Sequence, residues 1–213
     1  MPVRTSDPAR AAAVLRDGGI CVYPTETFYG LGALAGRPEA VARLGAAKLR
    51  PEGKALPLVA ADVASAFALW ARVPPEARAL AARFWPGALT LAAPAAPGLP
   101  RDVAPEGTVA VRVPGSAVAR ELCALAGGPL VSTSANLSGG PPPRRVEELD
   151  PALLARVDAV LDGGEAPGGL PSTVVALGDG APRLVREGAV PWGEVEAALR
   201  ALPSPGRLPG PSR

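Results

Sequence analysis

The sequence predicts a single α/β or mixed α+β domain with a central sheet. Short apolar runs typical of strands alternate with segments that fit helices along the 213 residues. The hydrophobic fraction of 48% and the charged fraction of 20% are those of a globular protein. The 25 glycines and 27 prolines lie between the apolar runs rather than in one cluster, which indicates turns and caps. We expect one domain over 1–202 and a disordered Pro-rich tail over 203–213.

Capping residues, glycines and prolines predict where the helices and strands begin and end. Ser6 and Asp7 offer an N-cap before Pro8, and Gly18 with Gly19 stops the helix that follows. Further helices are predicted over 37–49, 61–71, 75–84, 116–126, 146–156 and 191–201. The strands are apolar runs bounded mostly by Pro, Gly or polar residues. They are predicted over 20–23, 56–60, 88–92, 108–113, 129–132, 157–161, 172–177 and 183–186.

Composition excludes several function classes. The chain has no histidine, which excludes Ser-His-Asp and Cys-His catalysis and His-ligated zinc. Cys21 and Cys123 lie far apart in apolar stretches and indicate no disulfide framework. No apolar stretch reaches the ~18 residues of a membrane span, and the N-terminus lacks a signal-peptide core, so a cytoplasmic protein with no membrane partner is expected. A net charge of +2 is too small to indicate nucleic-acid binding by itself.

The first polar cluster follows a predicted strand directly, at Pro24-Thr-Glu-Thr-Phe-Tyr-Gly-Leu-Gly32. Two hydroxyls, a carboxylate and a phenol lie together, beside glycines that allow close approach of a backbone. Ligands of open α/β sheets tend to bind at such strand ends. The alternative is an ordinary strand-to-loop turn, with Thr25 or Thr27 capping a helix.

The second cluster holds the only two lysines, Lys48 and Lys54, on either side of Arg50, in a chain with 22 basic residues. An extended segment would place Lys48 and Arg50 on one face. Three cations can hold a triphosphate or a carboxylate, arginine by a bidentate fork and lysine as a point charge. The alternative is a solvated basic helix end, and no Walker A motif is present.

The third cluster, Ser132-Thr-Ser-Ala-Asn-Leu-Ser-Gly-Gly140, surrounds the only amide side chain with hydroxyls after an apolar strand. Such a loop supplies neutral donors for a phosphate, a ribose or a purine edge, while the alternative is a flexible Ser/Gly linker. Single polar residues stand at other predicted strands, namely Thr108, Arg112, Ser172 and Arg186. The first two are four residues apart on one strand and so share a face.

Five motifs stand in a fixed order along the chain. They are Pro24-Thr-Glu-Thr-Phe-Tyr-Gly-Leu-Gly32, Lys48-Leu-Arg-Pro51, Thr108-Val-Ala-Val-Arg-Val-Pro114, Ser132-Thr-Ser-Ala-Asn-Leu-Ser-Gly139 and Pro171-Ser-Thr-Val-Val175. In this order the chain resembles the YrdC-like family of threonylcarbamoyl-AMP synthases, from about residue 19 to residue 188. The first and fourth motifs are the most specific.

The resemblance implies a single domain whose twisted mixed sheet surrounds a large, positively lined concave cavity. It implies a nucleotidyltransferase that converts L-threonine, bicarbonate or carbon dioxide, and ATP to threonylcarbamoyl-adenylate and pyrophosphate. The product would serve tRNA modification to N6-threonylcarbamoyladenosine through a downstream threonylcarbamoyl transferase complex. A Mg²⁺ ion on the phosphates is expected by analogy, and direct contact with tRNA or double-stranded RNA stays open.

The resemblance also implies residue roles. Lys48 and Arg50 would be the catalytic pair at the phosphates and the carbamate. The implied threonine contacts are Thr27, Tyr29, Arg112 (at the carboxylate), Ser132 and Ser172. The implied nucleotide contacts are Lys48, Arg50, Lys54, Thr108, Ser134, Asn136 and Arg186. No metal ligand is implied.

The chain departs from the family pattern in three places. Ala55 follows Lys54 where the family often has Lys-Pro-Leu, and Glu187 follows Arg186 where many relatives have Arg-Pro-Gly. A carboxylate beside Arg186 could compete for that guanidinium. The chain also has no counterpart of the extra C-terminal domain of longer members, so it resembles the short form.

Two other functions remain open from the sequence. One is a double-stranded-RNA-binding or ribosome-maturation role, against which the near-neutral charge argues. The other is carbamoyl-adenylate formation in hydrogenase maturation. That domain normally accompanies zinc-finger-like modules, and two cysteines cannot supply those.

Overall fold

The computed structural model describes residues 1–48 and 56–202. Its strands are β1 (Val3–Thr5), β2 (Cys21–Pro24), β3 (Tyr29–Leu34), β4 (Leu58–Val59), β5 (Leu89–Pro94), β6 (Thr108–Arg112), β7 (Leu130–Ser134), β8 (Ala159–Leu161), β9 (Thr173–Ala176) and β10 (Arg183–Arg186). Its helices are α1 (Pro8–Arg16), α2 (Pro38–Ala47), α3 (Val63–Phe67), α4 (Pro75–Phe84), α5 (Ala117–Ala126), α6 (Pro151–Leu154) and α7 (Trp192–Arg200). The predicted tail over 203–213 lies outside the described residues.

The strands join one mixed sheet in the order β1-β8-β2-β3-β7-β4-β6-β5-β9-β10. The pairs β1–β8, β8–β2, β4–β6 and β5–β9 are parallel, and the other neighbours are antiparallel. The expected fold class, an α/β fold with a mixed central sheet, is confirmed. None of the helices in 1–48 and 56–202 is both long and apolar enough to cross a membrane.

Local signals account for several boundaries. The Asp7 side chain accepts a hydrogen bond of 2.8 Å from the Ala9 amide, so α1 begins where the Asp-Pro pair predicts. At α5, Ser116 caps the first turn, and Gly127 ends the helix with a left-handed φ of 81°. Helix α4 and strand β10 have the predicted bounds.

Two predicted helices are wrong, and two strands were not predicted. The helix over 146–156 is split into a 3₁₀ turn and α6, because Asp150 is extended before a proline and caps a new helix. The helix over 61–71 stops at Phe67, and Trp70 instead bridges to Ala95. No strand is predicted over 29–34 or at the N-terminus, where the structure has the central strand β3 and the short strand β1.

Both faces of the sheet are buried. Val22 and Leu31 point to a large core covered by α2, α4 and α7, while Cys21 and Tyr23 point to a second core under α1 and α5. Both cysteines are buried and free, in agreement with the prediction of no disulfide framework. Burial raises the pKa of each thiol to about 12, so neither is a nucleophile at neutral pH.

The glycines of β3 make room for the ring of Tyr23. Tyr23 stands directly opposite Gly30 in the antiparallel β2–β3 pair, and its ring leans over Gly32 as well. A Cβ atom at Gly32 would lie 2.6 Å from Tyr23 Cε1 and 2.8 Å from the Val131 carbonyl oxygen. Position 32 therefore requires glycine for space.

We expect Gly32→Ala to lower the free energy of unfolding by about 1–3 kcal/mol, because the methyl group overfills a packed site. The matched control is Gly45→Ala in α2, where a Cβ atom meets nothing within 4 Å. That change is expected to stabilise the protein by roughly 0.5–1 kcal/mol through helix propensity. Chemical denaturation measures both, and equal stability of the two variants would contradict the packing argument.

Candidate active site

A cavity of about 360 Å³ opens over the sheet, with walls from β3, β7, β4, β6, β5, β9 and β10. It lies on the face that α1 and α5 partly cover, since Val59 belongs both to that core and to the cavity wall. Its volume is in the range of small-molecule sites. The predicted site residues on its walls are Thr27, Tyr29, Arg112, Ser132, Ser134, Ser172 and Arg186.

The turn between β2 and β3 is closed by its own hydroxyls. Thr25 Oγ1 donates to the Phe28 carbonyl oxygen at 2.7 Å and accepts from the Thr27 amide at 3.2 Å. Thr27 Oγ1 lies 3.1 Å from Thr25 Oγ1 and is on the cavity wall. Thr25 therefore builds the turn, while Thr27 carries its hydroxyl beside the cavity.

The Tyr29 hydroxyl is engaged away from the cavity. It donates to the Gly164 carbonyl oxygen at 2.6 Å and accepts from the Gly163 amide at 3.2 Å. Burial raises the pKa of this phenol, so it remains a neutral donor. Tyr29 thus contributes wall surface to the cavity and anchors the loop that follows β8.

Arg112 forms an ion pair with Glu26 in the cavity wall. The NH1 group of Arg112 donates to Glu26 Oε1, and the two side chains are only 10% and 18% exposed. The Ser116 amide lies 3.5 Å from the other oxygen of Glu26. Within 1–48 and 56–202, Arg112 makes no other side-chain hydrogen bond, so its remaining N–H groups can bind an anion. Sequence reasoning missed Glu26 as a site residue, although its place in the first motif was a signal.

Arg186 is held against Ser172 at the other side of the cavity. Its Nε and NH2 atoms donate to the Ser172 carbonyl oxygen at 3.2 and 2.8 Å, and NH2 lies 3.3 Å from Ser172 Oγ. Burial, and secondly the charge of Arg112, lowers the pKa of Arg186. Because two guanidinium groups lie near each other, an anionic ligand between Arg112 and Arg186 would be favoured.

Two contacts around Arg186 were not predicted. Thr90 Oγ1 lies 2.9 Å from Ser172 Oγ, and both residues line the cavity. A lone hydroxyl in the apolar run 88–92 was the available signal for Thr90. Glu187 accepts a hydrogen bond of 2.8 Å from the Trp192 amide at the start of α7, and no ion pair joins it to Arg186 in the described chain. The expected competition for Arg186 is therefore not seen.

Lys48 connects the end of α2 to the end of β7. Its ammonium donates to the Ser134 carbonyl oxygen and lies 3.4 Å from Ser134 Oγ and 3.5 Å from Asn136 Oδ1. The residue is 4% exposed. The Asn136 amide donates to the Gly140 carbonyl oxygen at 2.7 Å, which fixes the loop around the lysine. Lys48 does not itself line the cavity, but its ammonium contacts Ser134, which does.

The remaining observations concern four predicted residues, namely Lys48, Arg50, Lys54 and Thr108. Lys48 has a helical φ of −86° and ψ of −6°, so the extended geometry considered for Lys48 and Arg50 does not hold at the lysine. Arg50 and Lys54 lie outside the described residues. Thr108 shares a face of β6 with Arg112 but is exposed and does not line the cavity.

The family model for Sua5, YciO and YrdC proteins, whose description reads "Telomere recombination", matches residues 13–188. The chain belongs to this family. The resemblance carried by the five motifs is thereby confirmed. The described part of this family member contains a cavity that is flanked by two arginines and lined by hydroxyls.

Curated relatives in the Sua5/YciO/YrdC family include two bacterial threonylcarbamoyl-AMP synthases. The protein from Bacillus subtilis (strain 168) is 40% identical over 199 residues, which cover 92% of this chain and 58% of the relative. The one from Stenotrophomonas maltophilia (strain K279a) is 47% identical over 157 residues, covering 72% of this chain and 84% of the relative. The chain thus spans little more than half of the Bacillus relative.

A solved family structure, P. abyssi Sua5 complexed with L-threonine, superposes with a TM-score of 0.86 at 37% identity. The match covers 93% of this chain and 60% of that one. It supports the mixed-sheet architecture across nearly all of the matched family domain.

Proposed function

We propose that the chain is a threonylcarbamoyl-AMP synthase, a nucleotidyltransferase that condenses L-threonine, bicarbonate or carbon dioxide, and ATP. The observation that carries the proposal is the cavity itself, where Arg112 and Arg186 flank a wall of hydroxyls. The names of the curated relatives and the threonine complex of P. abyssi Sua5 support it. Two arginines suit a reaction whose substrates and intermediates are anionic.

The reaction balances without a nucleophilic side chain. The threonine amine adds to carbon dioxide and loses a proton, which gives a carbamate. A carbamate oxygen then attacks the α-phosphorus of ATP, and the bond to the β-phosphate oxygen breaks to release pyrophosphate. Such a transfer depends on positioning and on neutralising developing charge. A chain without histidine can supply both.

The proposed residue roles are those that the family resemblance implies. On the threonine side, Arg112 would bind the carboxylate, and Tyr29 would form wall surface. The hydroxyls proposed for this side are those of Thr27, Ser132 and Ser172. The nucleotide side would be formed by Lys48, Arg50, Lys54, Thr108, Ser134, Asn136 and Arg186. Lys48 and Arg50 are proposed to neutralise charge at the phosphates and the carbamate.

Magnesium would enter as part of the ATP substrate. Within 1–48 and 56–202, no group of three or more His, Cys, Asp or Glu side chains could hold a metal ion. A Mg²⁺ ion is commonly held by substrate phosphates and water with few protein ligands, and a cavity lined by cations and hydroxyls suits the phosphates of such a complex.

The product would pass to a threonylcarbamoyl transferase complex that modifies tRNA, and the proposed compartment is therefore the cytoplasm. Direct contact of this chain with tRNA or double-stranded RNA is not required for the proposed reaction. No feature of the cavity favours the RNA-binding or hydrogenase-maturation alternatives over the synthase.

Purified protein is expected to release pyrophosphate only when ATP, threonine and bicarbonate are all present, because each supplies atoms of the product. The measurement is pyrophosphate release in a series that omits one substrate at a time. Equal release from ATP and carbamoyl phosphate without threonine would favour the hydrogenase-type reaction. Salt-dependent RNA binding with no pyrophosphate release would favour an RNA-binding module.

A further inference from the structure

Tyr23 carries a polar atom that the fold leaves unpaired. Its hydroxyl is the one buried side-chain N or O atom in 1–48 and 56–202 without a hydrogen-bond partner. The residue is fully buried among the side chains under α1 and α5. Leaving a buried hydroxyl unpaired is unfavourable. A phenylalanine would fill the same space without this cost. We therefore expect the hydroxyl to form a hydrogen bond in the functional state.

The end of the Tyr23 ring lies beside the cavity wall. A Cβ atom built on Gly30 would lie 3.3 Å from Tyr23 Cζ, 3.5 Å from Ser132 Oγ and 3.5 Å from Thr25 Cγ2. The phenol end and the Ser132 hydroxyl therefore flank the same small space over Gly30. Gly30 and Ser132 line the cavity, and Tyr23 lies directly behind them.

The Ser132 hydroxyl is the natural acceptor for the phenol. It is close enough to lower the pKa of Tyr23, although burial outweighs this and raises that pKa overall. The phenol therefore stays protonated and has a proton to donate. The Ser132 side chain makes no hydrogen bond to another described residue, so its proton is available to the cavity that it lines.

We propose that Tyr23 is a positioning residue that acts through Ser132 when the amino-acid substrate binds. The Tyr23 hydroxyl donates to Ser132 Oγ, and Ser132 in turn donates its proton to an oxygen of the substrate. Hydrogen bonds in such a chain strengthen one another, and the direction of donation favours an acceptor oxygen over an ammonium group. This inference rests on the proposed function, because it takes threonine as the ligand beside Ser132.

The decisive variant is Tyr23→Phe, which removes one oxygen atom and keeps the ring over Gly30 and Gly32. The KM for threonine is expected to rise about tenfold, the size of one lost hydrogen bond, while kcat and the KM for ATP change less than about twofold. The melting temperature is expected to stay equal or rise. If the hydroxyl had a purely structural role, its removal would lower the melting temperature instead.

Tyr29→Phe provides the stability contrast. The Tyr29 hydroxyl is already paired with the Gly164 carbonyl oxygen, so its removal is expected to lower the melting temperature. Tyr23→Phe with an unchanged KM for threonine would overturn the inference. So would a fall in its melting temperature as large as that of Tyr29→Phe.

A double-mutant cycle tests whether Tyr23 acts through Ser132. Ser132→Ala is expected to raise the KM for threonine by at least as much as Tyr23→Phe, and the double variant is expected to equal Ser132→Ala alone. Additive effects would overturn the coupling. Calorimetric titration with L-threonine separates the two proposals. A wild-type protein that binds no threonine overturns both, whereas equal binding by wild type and Tyr23→Phe overturns only the role of Tyr23.

Discussion

Lys48→Arg is expected to lower turnover about 100-fold while the chain still folds. The ammonium of Lys48 fits among three oxygens, those of Ser134 O, Ser134 Oγ and Asn136 Oδ1, and the side chain is almost fully buried. A planar guanidinium is wider and directs its donors along fixed lines, so it cannot occupy this position without moving Ser134. Moving Ser134 displaces the cavity wall and the positive charge behind it.

The matched control is Arg156→Lys. The exposed Arg156 donates to the carbonyl oxygen of Ala47 at 3.3 Å, next to Lys48 at the end of the same helix. This exposed arginine-to-lysine change is expected to leave turnover unchanged and the free energy of unfolding within about 0.5 kcal/mol of the wild-type value. Turnover and melting temperature are measured for both variants beside wild type. Wild-type turnover in Lys48→Arg would show that the reaction does not require a lysine at position 48.

Arg112→Met is expected to raise the KM for threonine about 100-fold or more, because the proposed site loses its bidentate partner for the carboxylate. The same change leaves the Glu26 carboxylate, only 18% exposed, without its ion-pair partner. Stranding a charge at such a site costs about 3 kcal/mol in the free energy of unfolding. Steady-state kinetics and chemical denaturation measure the two effects separately.

Adding Glu26→Gln to Arg112→Met distinguishes the two roles of the pair. The double variant is expected to recover most of the lost stability, because no uncompensated charge remains, but to stay defective toward threonine. Arg72→Met is the control, since Arg72 pairs with Asp179 at side chains that are 59% and 95% exposed. Breaking that pair is expected to cost less than about 1 kcal/mol. A normal KM for threonine in Arg112→Met would contradict the proposed carboxylate site.

Elements with local signals could be predicted from the sequence, and those that depend on distant partners could not. Helix α4 and strand β10 have the predicted bounds, since their turn residues and apolar patterns act locally. Strand β3 (Tyr29–Leu34) was not predicted, and it contains two glycines. These glycines are explained by the ring of Tyr23 on the neighbouring strand, and a local pattern contains no information about that neighbour.

The same distinction holds for the candidate site. Thr27, Ser132 and Arg112 follow or end apolar runs and Ser172 begins one, and the structure brings all four to one cavity. The ion pair between Glu26 and Arg112 joins residues far apart in the sequence, so no spacing predicts it. The roles proposed for all of these residues remain predictions until the variants are measured.

The order of the strands also determines when this cavity can exist during synthesis of the chain. Strand β9 is the parallel neighbour of β5, with Thr173 opposite Leu89, and Ser172 precedes it on the cavity wall. Strand β10 pairs with β9 and brings Arg186 to the same wall. A nascent chain that ends before β9 has the first motif and Arg112 but lacks one side of the pocket. A bound ligand can therefore stabilise the folded state only after nearly the whole domain has emerged from the ribosome. Until then, the central strands depend on contacts within the chain alone.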